Sequence, residues 1–117
     1  MTVEELRIGN LVDIGKEVNE LELVDFVDMY ENDTLKHFDP IPLNKDWLVK
    51  LGFKQMYFLG AKINYYVKGN LIYSIIDRHV EYKNGSINFI IRKCEHVHDL
   101  QNLYHAITGE ELTLKTK

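Results

Sequence analysis

The amino-acid sequence predicts an α+β fold: an antiparallel β-meander covered by two short helices, with a small β element at the N-terminus. Two observations and one packing rule support this prediction. Residues 53–93 consist of short runs rich in Ile, Tyr, Phe and Val, a composition typical of strands. Residues 44–52 and 97–108 carry apolar side chains at helical spacing. A sheet must be covered on at least one face, and these two helices are the available covers.

The N-terminal element is expected to consist of strands. The apolar run 6–14 is interrupted at Gly9-Asn10, where a tight turn is expected because both residue types accept a positive φ. Residues 21–30, LELVDFVDMY, contain many β-branched and aromatic residues. This composition favours a strand with both faces partly covered over a helix.

The first helix is expected over residues 44–52. Pro40 and Pro42 enforce an extended approach to it, because proline cannot sit inside a helix. Asn44 suits the N-cap position, since its side chain can accept a hydrogen bond from the first turn. Gly52 suits the left-handed conformation with which many helices end.

The central strands are predicted from turn signals. Asn84-Gly85 lies between two apolar runs, which is a strong sequence signal for a hairpin. The predicted strands are residues 56–59, 62–68, 71–77, 79–83 and 86–93. The closing helix over 97–108 follows from helical spacing and is expected to stop at Gly109.

Length and composition indicate one globular domain. The chain has 117 residues, of which 45% are hydrophobic and 27% are charged, which suits a protein with its own core. We predict a single domain over 1–117, with an acidic N-terminal β element (1–39) and a helix–meander–helix part (40–117). One cysteine excludes an internal disulfide. Because no apolar run approaches the roughly 18 residues of a membrane helix, we expect a cytoplasmic protein without membrane contact.

Charge is divided unevenly along the chain. Residues 1–39 contain 11 acidic and 3 basic residues, a net charge of −8, whereas residues 40–117 contain 7 acidic and 11 basic residues, a net charge of +4. One interpretation is that the two parts attract each other within one fold. The other is that the acidic segment, through Glu20, Glu22 and Asp25, presents a surface to a basic partner protein.

Metal-ligating residue types are concentrated near the closing helix, at Cys94, His96, His98, Asp99 and His105. His98 and His105 are seven residues apart, about 10 Å along a helix, whereas two helical histidines chelate one metal best at a separation of four residues. Cys-x-His-x-His is not a common zinc spacing either. We therefore expect no metal site and no other cofactor.

Helical geometry also predicts a binding face on this helix. His98, Gln101, Asn102 and His105 share a face opposite the apolar stripe. We expect this face to be solvated and to be available to a protein partner. We assign no residue a catalytic role, because no catalytic motif is present.

Two other functions stay open. Tyrosines on the strands, with interleaved basic residues, could stack single-stranded nucleic acid on the sheet. These residues are Tyr57, Tyr65, Tyr66, Tyr73 and Tyr82, with Lys54, Lys62, Lys68, Arg78 and Lys83. Cys94 with a nearby histidine could instead belong to a small metal- or cysteine-dependent enzyme, although glycine-rich phosphate loops are absent. A sheet this aromatic with few covering helices also favours a homodimer.

Three segments together resemble a family of short proteins carried by bacteria and by their phages or mobile elements. The segments are ELRIGNLV (5–12), PIPLNKDWLVKLGF (40–53) and HVHDLQNLYHAITGEELTL (96–114). The family has no established activity. Its pattern includes the histidine at His98 but does not call for Cys94 or His105. The resemblance implies an origin in a phage or mobile element, and hence a place in the host cell cytoplasm. The charge asymmetry and the lack of a catalytic motif lead us to expect a non-enzymatic interaction protein that binds a host or phage protein.

Overall fold

The computed structural model of the chain describes residues 1–114, apart from the side chain of Lys62. The fold is α+β, as predicted, and this part of the chain contains a three-stranded and a five-stranded antiparallel sheet. The helices are α1 (Leu23–Asn32), α2 (Lys45–Lys50) and α3 (Val97–Thr108). The strands are β1 (Leu11–Ile14), β2 (Glu17–Glu20), β3 (Phe38–Asp39), β4 (Lys54–Phe58), β5 (Ala61–Lys68), β6 (Leu71–Ser74), β7 (His79–Asn84) and β8 (Ile87–Lys93). Short 3₁₀ helices lie at Val3–Glu5 and Leu35–His37.

The first of two compact units comprises residues 1–42 and 96–112. Its sheet has the order β2-β1-β3, and α3 contacts β1. The turn predicted at Gly9-Asn10 is present, with Gly9 at a φ of 96°, and β1 begins directly after it. The hydrophobic core of this unit consists of Leu6, Val12, Leu21, Met29 and Phe38.

The strand predicted over residues 21–30 was wrong, because this segment enters a helix, α1. The backbone N–H of Glu22 donates a hydrogen bond to the carboxylate of Asp25 at 2.8 Å, which satisfies a free donor at the helix start. Phe26 and Met29, three residues apart, pack in the core on one side of the helix. Tertiary burial of these two side chains outweighs the weak strand preference of the surrounding valine and aromatic residues.

The second unit comprises residues 43–95 together with 113–114. It contains α2 and the five-stranded meander, whose strands follow one another in the order β4-β5-β6-β7-β8. The predicted N-cap is confirmed, since Oδ1 of Asn44 accepts a hydrogen bond from the N–H of Trp47 at 2.9 Å. Predicted and observed strands agree to within a few residues at their ends.

The two faces of the meander differ in character. Tyr66, Tyr73 and Val80 are directly paired across three strands, and all three are buried; we call this the buried face. Ile72, Glu81 and Ile90 are paired across the other side of the sheet. We call this the cleft face, because an open cavity of about 250 Å³ lies on it.

The division into units places α3 with the N-terminal segment. The unit boundaries fall after residues 42 and 95. The division at residue 39 stays a prediction of the sequence. The single domain over 1–117 stays a prediction of the sequence. None of the helices in the described part of the chain is long and apolar enough to cross a membrane.

The single-domain prediction can be tested with the only tryptophan, Trp47, which belongs to the second unit. Leu21→Ala removes a buried side chain from the core of the first unit and should cost about 2–5 kcal/mol of unfolding free energy. If the chain unfolds as one domain, the urea midpoint measured by Trp47 fluorescence should fall together with that measured by far-UV circular dichroism. Leu23→Ala, at a position 67% exposed, is the matched control and should shift neither. A Trp47 transition that Leu21→Ala leaves unmoved would mean that the units unfold separately.

Candidate functional site

Gln101, which was expected to face solvent, is buried and binds three backbone groups. Its Oε1 accepts a hydrogen bond from the N–H of Leu11 at 2.8 Å. Its Nε2 donates to the carbonyls of Gly9 and Leu112, both at 3.2 Å. The solvent-facing assignment was wrong here because backbone groups removed from water need partners, and this side chain supplies them. Gln101 therefore has a structural role.

Asn102 has a similar role beside it. Its Oδ1 accepts hydrogen bonds from Nε of Arg7 at 2.9 Å and from Nδ2 of Asn10 at 2.8 Å, and its Nδ2 donates to the carbonyl of Glu5 at 2.7 Å. The guanidinium of Arg7 also donates to both carboxylate oxygens of Glu111, at 2.9 and 3.0 Å. The polar groups of α3 thus hold both the N-terminal segment and the residues that follow α3.

His98 is also buried, with 1% of its surface exposed. Its ring stacks on His96, with the ring centroids 5.7 Å apart and an angle of 7° between the planes. Its Nε2 lies 3.5 Å from Oδ1 of Asp99, but among the described residues neither ring nitrogen has a hydrogen-bond partner. The solvent-facing assignment was wrong for this residue too. Over residues 97–103, α3 buries side chains around more than half of its circumference, whereas residues 105–108 are exposed.

Burial lowers the pKa of His98, because the cationic form loses its hydration. The carboxylates of Asp99 and Glu5 oppose this shift, whereas the His96 ring and the N-terminal amino group reinforce it. The net direction is downward, so the fold favours the neutral imidazole. Of the four helix residues predicted to bind a partner, His105 alone is exposed, and Asn102 is half-buried.

The acidic residues predicted to bind a partner lie around the start of α1. Glu20 ends β2 and Glu22 immediately precedes α1, and both are exposed. Asp25 is half-buried, and its carboxylate accepts the hydrogen bond from the N–H of Glu22. Asp25 therefore acts within the helix start, while Glu20 and Glu22 are the accessible members of the set.

α1 carries an exposed apolar stripe that the predicted strand over residues 21–30 did not anticipate. Leu23 and Tyr30 are 67% and 73% exposed, and Val24 and Val27 lie between them on the same side of the helix. The stripe is bordered by acidic residues. We define the α1 surface as Leu23, Val24, Val27 and Tyr30 with the exposed carboxylates of Glu22, Asp28 and Glu31. The spacing 23, 27 and 30 was the available helical signal for it.

The tyrosines considered for nucleic-acid stacking do not share one exposed platform. Tyr66 and Tyr73 are buried, and the hydroxyl of Tyr73 donates a hydrogen bond to the carbonyl of Cys94 at 2.6 Å. Tyr57 is exposed. Lys62, one of the interleaved basic residues, has a side chain outside the described part of the structure. Burial of Tyr66 and Tyr73 therefore removes two of the five tyrosines from an exposed stacking surface on the described part of the sheet.

Cys94 is fully buried, and a buried thiol in such a position is typically inert. Among residues 1–114, no group of three or more His, Cys, Asp or Glu side chains is arranged to hold a metal ion. His96 and Asp99 approach each other, with Nδ1 and Oδ2 3.3 Å apart. This contact lies at the first turn of α3, where the N–H of His96 also donates to the Asp99 carboxylate.

Comparisons with protein-family models, with curated proteins and with solved structures found no match to this chain. The α1 surface combines exposed apolar area with a single sign of charge, and it is the strongest candidate for contact with another molecule.

The buried His98 predicts a pH dependence of stability. Because the fold lowers the pKa of this group, the unfolded chain binds more protons below its ordinary pKa of about 6.5. The free energy of unfolding should therefore be unaffected by His98 above about pH 6.5. It should decrease as the pH falls below this value, by at most about 1.4 kcal/mol per pH unit. Urea unfolding at pH 7.5 and 5.5 measures this loss.

His98→Leu should reduce the loss between the two pH values, because it removes the group that must stay neutral. His37→Gln, at an exposed position, is the matched control and should keep the wild-type dependence. An unchanged pH dependence in His98→Leu would show that other groups cause it.

Proposed function

We propose that this protein is a non-enzymatic interaction protein and that its α1 surface binds a basic partner protein. The observation that carries the proposal is the exposed apolar stripe of α1 with its acidic border. An amphipathic helix normally turns its apolar residues toward a core. α1 does so with Phe26 and Met29, yet it keeps four more large apolar side chains in solvent.

The exposed stripe has the shape used in helix recognition. Leu23, Val27 and Tyr30 follow the spacing i, i+4 and i+7, which places them in one row along the helix. Tyr30 is the central candidate, because tyrosine offers a large apolar area and a polar tip, and it is enriched among residues that dominate binding energy. Leucine and valine beside it would exclude water from the contact.

The negative charge around the stripe favours a basic partner protein. Glu22, Asp28 and Glu31 are exposed at its border, and residues 1–39 together carry a net charge of −8. A partner with an apolar strip bordered by lysine and arginine would complement both features. Acidic surfaces and nucleic acids would be repelled.

The proposal extends to the origin and location of the protein. The resemblance of segments 5–12, 40–53 and 96–114 to proteins of phages and mobile elements supports a host or phage protein as the partner and the host cell cytoplasm as the place of contact. Arg7, Gln101 and Asn102 form hydrogen bonds that join segment 5–12 to segment 96–114. These bonds account for the residues of both segments by a structural role and require no catalytic one.

The α1 surface can be tested by affinity capture from host lysate with matched variants. Val27→Ser/Tyr30→Ser removes apolar area without changing charge, and Asp28→Lys/Glu31→Lys reverses the border. Proteins bound through α1 should be lost from both variants, with affinity reduced at least about tenfold when measured on the purified partner. The direct readout is fluorescence anisotropy with that partner.

A charge reversal elsewhere in the acidic segment provides the control. Glu17→Lys lies at an exposed position on β2 and should retain the captured proteins. If a bound protein is retained equally by all variants, α1 is not its binding surface. Recovery of bound nucleic acid, lost at high salt, would favour the single-strand alternative instead.

We further propose a homodimer formed by antiparallel pairing of β8 with β8 of a second copy. β8 is an edge strand, and all seven of its residues are exposed, among them Ile87, Phe89, Ile90 and Ile91. Such an edge leaves backbone groups free to pair with another strand. β8 ends in Arg92-Lys93, and a two-fold antiparallel arrangement keeps these charges at opposite ends of the interface.

Phe89→Lys should convert such a dimer to a monomer, because it places like charges at the pairing strands. Sedimentation equilibrium gives the subunit number. Val18→Lys makes the same kind of change on the exposed edge strand β2 of the other sheet and should leave the dimer intact. A wild-type chain that sediments as a monomer at high micromolar concentration would contradict the dimer.

A further inference from the structure

We infer that the cavity on the cleft face of the five-stranded sheet binds a small organic ammonium cation, with Glu81 as its counter-ion. This inference is independent of the α1 surface, because the cavity belongs entirely to the second unit. It has a volume of about 250 Å³ and is open on one side. Its lining residues come from all five strands and are Met56, Ile63, Tyr65, Ile72, Glu81 and Asn88.

Strand alternation produces the apolar wall. Ile63 and Tyr65 are two apart on β5, so both side chains point to the same face of the sheet. Ile72 is paired with Glu81 on the neighbouring strand and reaches the same face. The wall is therefore an aliphatic and aromatic surface, which suits the hydrocarbon part of a ligand rather than a bare ion.

Glu81 is the one acidic side chain in this lining. Only 17% of its side-chain surface is exposed, and its strand neighbours across the sheet are Ile72 and Ile90. A carboxylate that is largely removed from water and placed among aliphatic groups carries a desolvation cost unless charge and hydrogen bonds compensate for it. The cleft therefore favours a positively charged group beside Glu81.

The existing partner of Glu81 compensates for part of this cost. Nε2 of His79 lies 2.8 Å from Oε2 of Glu81, and the His79 side chain is only 14% exposed. Among the side chains that the structure describes, which exclude that of Lys62, no hydrogen bond or ion pair engages the other oxygen, Oε1, of this carboxylate. An ammonium group could donate to Oε1 while the contact with His79 is kept.

The remaining polar and aromatic groups fit the same ligand class. Tyr65 can offer a ring face to a cation, and the side-chain oxygen of Asn88 can accept an N–H. A metal ion is a poor fit, because the lining supplies one carboxylate and the described residues contain no cluster of metal-ligating side chains. The volume lies just under the range of about 300–1,000 Å³ typical of drug-sized ligands, so the expected ligand is a small amine with a short apolar or aromatic group.

The test uses the 117-residue chain and phenethylammonium as the probe. Its titration is followed by methyl NMR of the isoleucine residues, and its affinity is measured by calorimetry. Saturable shifts at Ile63 and Ile72 are expected. The neutral analogue 2-phenylethanol should bind at least about tenfold more weakly, since it lacks the charge that complements Glu81.

Glu81→Gln keeps the shape of the side chain and removes its charge, so it should weaken phenethylammonium binding at least about tenfold while leaving the weak binding of 2-phenylethanol unchanged. Glu95→Gln, an exposed carboxylate in the same unit that does not line the cavity, is the matched control and should bind like the wild type. Tyr65→Leu should weaken phenethylammonium binding more than 2-phenylethanol binding, because it removes the ring face offered to the cation.

Three results would overturn the inference: no saturable shift at Ile63 and Ile72 in the wild type, equal affinity for the amine and the alcohol, or undiminished amine binding by Glu81→Gln. Unchanged far-UV circular dichroism of each variant separates loss of binding from loss of fold. None of these outcomes depends on whether the α1 surface has a partner.

Discussion

The first unit depends on the buried amide of Gln101 and its neighbour Asn102, which join chain segments about 90 positions apart. Gln101 uses both its acceptor and its donor on backbone groups of Gly9, Leu11 and Leu112. A buried amide that forms all these bonds is stabilising, whereas the same amide with one partner missing would cost roughly 1–3 kcal/mol. This requirement fixes which part of the N-terminal segment can lie against α3. It also explains why the motifs RIGN and LQN occur together in one sequence.

The acidic residues of the N-terminal segment fall into two groups that the sequence does not separate. Some of its charges are used locally, as when Asp25 accepts a backbone hydrogen bond at the start of α1. Others, such as Asp28 and Glu31, lie exposed beside large apolar side chains. An isolated exposed leucine needs no explanation, but a row of four apolar residues along one helix with an acidic border is the usual composition of a recognition surface.

The meander shows a similar division between its two faces. The buried face carries Tyr66, Tyr73 and Val80 and behaves as an ordinary core. The cleft face holds Glu81 between Ile72 and Ile90, with its carboxylate in contact with His79. Polar groups held in an apolar cleft are the common feature of small-molecule sites, and here they occur in the unit that contains neither α1 nor α3.

The sequence alone determined the elements whose signals are local: the N-cap at Asn44, the tight hairpin at Asn84-Gly85 and the stop of α3 at Gly109. Each rests on backbone geometry or a hydrogen bond within a few residues, so no distant contact is needed. Only the tertiary structure decided that residues 21–30 enter a helix and that Gln101 and His98 are buried. Apolar residues on both sides of α1 satisfy a strand and a helix pattern equally, and the choice depends on which side finds a core. Likewise, a polar side chain on α3 is buried only when distant backbone groups supply its hydrogen bonds or when distant residues pack over it. The spacing of residues along α3 predicts neither of these contacts.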